Sequence, residues 1–153
     1  MGGYTRRAQA LIMPSFDDWE AYEILVPGRA EDLHPRGVKT VWRQSVDISK
    51  FRSPVVRLQH GFARLVPTVE TFEAMLPLVS VEALLSGAPS WLEMPKPDDS
   101  IGIDGTSYEV VVGDGFRWSR HHWWEKPPEG WEPLADFIHD MKQVIESHFA
   151  GAV

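Results

Sequence analysis

The stretch that most constrains the fold is the last one, "EPLADFIHDMKQVIESHF". Leu134, Phe137, Ile138, Met141, Val144, Ile145 and Phe149 recur at helical spacing and merge into one apolar stripe. Pro133 fits the first turn of such a helix, where a missing N–H removes no intrahelical bond. A striped helix takes most of its stability from the surface it packs on, so a second apolar layer must exist elsewhere in the chain.

That layer is readable just upstream. "YEVVV" and "FRWSRHHWW" are extended segments joined at Gly113-Asp114-Gly115, and Asp104-Gly105 has the composition of a two-residue hairpin turn. A three-residue loop at 113–115 places Tyr108, Val110, Val112, Phe116, Trp118 and Trp124 on one face with Ile101 and Ile103. Arg120 and His122 are then polar exceptions on that face. Glu109, Val111, Arg117, Ser119, His121 and Trp123 fall on the other. The last helix is expected to cross the first of these faces. The fold class that follows is α+β: an antiparallel meander, in a sheet of about four to six strands, with the C-terminal helix packed on one face.

The first half is less regular. "AYEILVPG" reads as a strand stopped by Pro27-Gly28, and "GVKTVWRQSV" as a half-buried strand. Ser15 is a candidate helix N-cap ahead of Asp17 and Asp18. "PVVRLQH" is a further strand candidate. "PTVETFEAMLP" has Val69, Phe72, Met75 and Leu76 at helical spacing behind Thr68 and before Pro77, which predicts a helix. "SVEALLSG" predicts another, from Ser80 to a stop at Gly87. A proline-rich loop near 88–99 separates this part from the meander, within one domain spanning 1–153.

Composition narrows the function classes. The chain has no cysteine, which removes disulfides, thiolate metal sites and a cysteine nucleophile together. Its formal net charge of -7 disfavours nucleic acid, whose binders neutralise phosphates with Lys and Arg. The same charge suits a basic partner, although solubility is the plainer account, since modest net charge of either sign is the norm for soluble domains. No apolar run is long enough to span a bilayer, and the patch before Pro14 is too short for a signal peptide, so a cytoplasmic, membrane-free protein is expected.

No cofactor is expected, because phosphate-loop and dinucleotide fingerprints are missing. No metal is expected either. Adjacent strand residues point to opposite sides, so His121 and His122 cannot grip one ion, and the other histidines have no ligand spacing. Catalytic candidates reduce to His122, Arg120 and Tyr108, which share a face and could build an acid–base pocket. The alternative on the opposite face is a partner-binding stripe of Arg117, Ser119, His121 and Trp123, rich in the residue types that dominate binding hot spots. That stripe is equally open to being covered by the first-half strands.

The run from Asp104-Gly105 and Tyr108 through Trp123-Trp124, Pro127-Pro128, Trp131 and Pro133-Leu134 into the closing helix resembles a C-terminal pattern of small bacterial proteins. Some of these look like immunity proteins of toxin systems. The resemblance covers about a quarter of the chain, and its motif is structural. It implies a non-enzymatic binding role, such as neutralising a toxin, and transfers no catalytic residue. A small hydrolase or isomerase and a structural subunit of a larger assembly are the alternatives.

Overall fold

A computed structural model describes residues 3–28, 34–55, 58, 66–88, 102, 104–113 and 116–149. Six strands, β1 (Tyr4–Pro14), β2 (Trp19–Pro27), β3 (Arg36–Trp42), β4 (Val69–Met75), β5 (Thr106–Gly113) and β6 (Trp118–Trp124), form one antiparallel sheet. Their order is β4-β3-β2-β1-β5-β6. The helices are α1 (Gln44–Arg52), α2 (Leu78–Ser86) and α3 (Glu132–Phe149). The class is α+β, with the C-terminal helix packed against the sheet.

Cross-strand register defines the covered face. Ala8, Ala10 and Ile12 of β1 stand opposite Val112, Val110 and Tyr108 of β5, and Ala8 and Ala10 stand opposite Ile24 and Tyr22 of β2. Phe137, Ile138, Met141 and Ile145 of α3 join these residues in one buried cluster, with Val81 and Leu84 of α2. The helix can approach closely because small residues lie beneath it. A Cβ added to Gly37 would come within 2.8 Å of the Ile145 side chain, so β3 needs glycine there. Leu134, Phe137, Ile138, Met141 and Ile145 are buried, and Val144 and Phe149 pack at the cluster's edge, as the stripe predicts.

Several first-half expectations are corrected. Val69–Met75 is a strand, not a helix: it pairs with β3 along its length, from Trp42↔Val69 to Arg36↔Met75. Val, Thr and Phe favour a pleated surface, and a free sheet edge outweighed a helical spacing only seven residues long. Ser15 caps no helix; its Oγ donates to the Gly105 carbonyl at 3.0 Å and its N–H does so at 2.8 Å, tying the β1–β2 turn to the start of β5. The strand expected at 37–46 stops at Trp42, and α1 begins two residues later. Pro54 and Val55 are helical, and the remainder of that strand candidate falls mostly outside the described residues. The first-half strands form no second layer; they extend the same sheet. The helix expected over 80–86 is present and starts slightly earlier, at Leu78 after Pro77. The proline-rich loop, apart from Ala88, and Ile101 and Ile103 lie outside the described residues.

Candidate functional site

The β5–β6 register reverses the predicted faces of β6. Tyr108 pairs with Trp123, Val110 with His121 and Val112 with Ser119, so the loop joining the strands has the opposite parity to the three-residue loop expected. Trp123 is therefore core, at 5% exposure, while Phe116 and Trp118 are open to solvent, at 96% and 45%. The aromatic residues misled because tryptophans occur on both alternations of "FRWSRHHWW". The two polar exceptions, Arg120 and His122, were the signal that the other parity was correct. At the expected Asp104-Gly105 turn, Gly105 has a positive φ, 136°.

The catalytic candidates are consequently divided. Tyr108 lies on the helix-covered face, stacked on Trp123 with ring centroids 5.5 Å apart. Arg120 and His122 lie on the opposite face. Arg120 donates to buried Glu109 at 2.7 Å, and His122 Nε2 is 2.5 Å from the Ser107 hydroxyl. The sheet itself separates Tyr108 from both, so no acid–base trio assembles.

The expected outward stripe is divided too. Trp123 and His121 pack beneath the entry of α3, each with its ring edge-on to buried Trp131. Burial holds His121 below the usual histidine range, so the ring stays neutral there. Ser119 is half-buried beside His121, at 3.2 Å. Arg117 sits exposed in the turn before β6. These four residues do not form one open surface.

What the sequence did not reveal is a charged network between α3 and the sheet. Lys39 Nζ reaches Glu146 at 2.6 Å and Glu20 at 2.7 Å, and Lys142 reaches Glu20 at 2.9 Å. Buried Tyr22 donates to Glu146 at 2.6 Å. The four charged residues come from β2, β3 and α3, 126 positions apart in sequence at the extremes (Glu20 to Glu146), so no local spacing could have found them. Burial raises the Glu20 carboxyl, but Lys39 and Lys142 together outweigh it and hold the group below its ordinary value. Burial and the two neighbouring carboxylates push Tyr22 far upward. Lys39 also moves up, because Glu146 and Glu20 outweigh its burial. Each shift leads away from neutrality, the reverse of what a general acid or base requires.

The network borders a cleft of about 610 Å³, lined on the sheet by Ile12, Glu20, Lys39, Val41 and Phe72 and on α3 by Phe149. Asp17, Asp18 and Arg43 form its lip. Arg43 there holds Asp18 at 3.0 Å and Glu70 at 2.5 Å. A second groove, of about 260 Å³, lies between α2 and α3; Ala83, Leu84, Gly87, Pro133 and Phe137 line it, with Asp136 and Asp140. Among the described residues no group of three or more His, Cys, Asp or Glu is placed to hold a metal ion. No helix among them is long and apolar enough to cross a membrane.

No protein-family model, curated protein or solved structure matches the chain.

Proposed function

We propose that the protein is a non-enzymatic binding protein that holds and inhibits a basic partner in the cytoplasm, in the manner of a toxin-neutralising immunity protein. The observation that carries this reading is the solvent side of α3. Glu132, Asp136 and Asp140 are exposed there at i, i+4 and i+8, and among the described residues none of them has an ion-pair partner. Like charges at that spacing destabilise a helix by a few tenths of a kcal/mol each. Glu132 also answers the helix's positive pole, but Asp136 and Asp140 lie beyond the first turn, and a pair that weakens its own helix is accounted for by a cation that arrives from outside. The division of His122 and Arg120 from Tyr108 supports the same reading against a hydrolase or isomerase.

Affinity capture from the host's lysate in steps of rising salt tests it, followed by reconstitution with the purified partner. The expected result is one basic protein held at near-equal amounts, released as salt screens the contact, and inactive while bound. A stoichiometric partner that is acidic, or whose activity is unchanged in the complex, would overturn the proposal.

A further inference from the structure

We infer that the groove between α2 and α3 is the docking site, and that its occupant is a basic amphipathic helix of a protein partner. This rests on the binding role proposed above and adds the surface and the chemistry of what it takes. The groove joins the C-terminal half of α2 to the N-terminal half of α3. Its floor is apolar, made by Ala83, Leu84, Pro133 and Phe137, and its α3 lip carries the carboxylates of Asp136 and Asp140.

A second negative feature meets the same groove. The last turn of α2 contains no basic side chain, so among the described residues no cation answers the negative pole of that helix where Gly87 lines the cavity. At the other end of the balance, Glu132 stands in the first turn of α3 and already answers that helix's positive pole. Asp136 and Asp140 lie beyond the first turn, where the pole no longer reaches them. Three negative contributions thus converge beside an apolar floor without a cation among the described residues.

The spacing selects the occupant. Carboxylates four residues apart on α3 stand about 6 Å apart along the axis. Lys or Arg residues four apart on an approaching helix have the same repeat, and an aliphatic side chain between them would enter the groove. Two packed helices present a furrow that accepts a third helix's ridge, and a helix laid in an apolar groove is read through anchors at that repeat. Nucleic acid is excluded by the sign of the charge. The larger cleft under Asp17 and Asp18 is a poorer receptor for a cation, because Lys39 and Arg43 already occupy carboxylates there.

The probe is a short helical peptide with Lys at every fourth position and Leu beside each, titrated into the full-length, isotope-labelled chain by amide NMR. Shifts confined to residues 83–87 and 132–140 are expected. Asp136→Asn with Asp140→Asn should weaken binding about tenfold. Ala83→Trp, which fills the groove from an exposed helix position and leaves every charge in place, should weaken it comparably. The thermal midpoint of each variant should match or exceed that of the parent, which separates lost docking from lost folding. Shifts centred on the Asp17 and Asp18 lip, or full affinity in Ala83→Trp, would overturn the site. The captured partner separates this inference from the one it rests on. If that partner holds both variants as tightly as the parent, the groove is wrong and the binding role stands; if capture yields an acidic partner or one left active, the binding role falls whatever the peptide does.

Discussion

Along α3, Lys142 and Glu146 in the C-terminal half reach the sheet, where Glu20, Tyr22 and Lys39 receive them. In the N-terminal half, Glu132, Asp136 and Asp140 stay in solvent with no basic side chain against them among the described residues. Both halves bury the same kind of apolar stripe, so packing does not distinguish them. Charge does. One half uses it to lock helix to sheet, and the other leaves it available. Paired charges near a surface are worth little each, but a network whose members share partners resists rearrangement and fixes how the helix lies.

The largest effect expected concerns the packing that both halves share. Trp123→Ala removes a buried indole that stacks on Tyr108 and meets Trp131 edge-on, and should lower unfolding free energy by about 3 kcal/mol in urea titration. Trp118→Ala, on the open face, should stay under about 1 kcal/mol. Similar losses in the two would mean that the open face is covered, and that the covered and uncovered faces are not the distinction drawn above.

That pair also marks how far the sequence could be read. The stripe on α3 was legible because seven apolar residues repeat over four turns, and only one periodicity fits so long a run. The faces of β6 were not, because seven residues with tryptophan on both alternations fit either parity. Val69–Met75 failed for a related reason: a short apolar run suits a strand and a helix alike, and the choice was made by the free edge of β3, which no local pattern records. Of the site, the i, i+4, i+8 row of carboxylates was present in the sequence. Whether each would find a cation depended on β2 and β3 lying under the other half of α3, and that is a fact of topology.

A buried carboxylate away from α3 gives the next effect. Asp47 accepts from Trp42 Nε1 at 2.8 Å, from the Thr68 N–H at 2.9 Å and from the Thr68 hydroxyl at 2.7 Å. These donors, Thr68 foremost, hold its carboxyl well below the ordinary range. A group whose pKa is depressed by folding contributes stability above its unfolded value, near 4, and loses it as pH falls through and below that value. Asp47→Ala should lose about 2 kcal/mol at neutral pH, because three half-buried donors are left without their acceptor. It should also flatten the acid limb of a thermal-midpoint series. An acid limb identical to the parent's would assign the sensitivity to Glu20 and Glu146 instead.

The paired half of α3 is sharpened by Glu146→Gln. Lys39 keeps Glu20, and the amide can still accept from Tyr22, so the expected loss is about 1 kcal/mol, reduced further by salt. A double-mutant cycle with Lys39→Met should show coupling of the same order. His121 adds a shallower dependence. Its folded pKa is lowered by burial, so the unfolded chain takes up a proton first and stability slips as pH falls through about 6.5. His121→Phe should remove that step from the midpoint series and leave the acid limb intact.

The smallest expected effect is the one that most directly tests the contrast within α3. Asp140→Lys places a cation four residues after Asp136, on an exposed turn where no described side chain opposes it. An acidic residue four positions before a basic one supports a helix by about 0.2–0.5 kcal/mol, and the replaced pair of carboxylates opposed it by a similar amount. Unfolding free energy should therefore rise by several tenths of a kcal/mol, readable as a small upward shift in the urea midpoint with an unchanged slope. The same substitution should abolish peptide binding at the α2–α3 groove. A change that strengthens the fold while removing an interaction is the expected signature of charge kept for a partner, since stability and function then make opposite demands on one residue. If Asp140→Lys instead destabilises the chain, Asp140 has an intramolecular role, and the N-terminal half of α3 is organised like the C-terminal one after all.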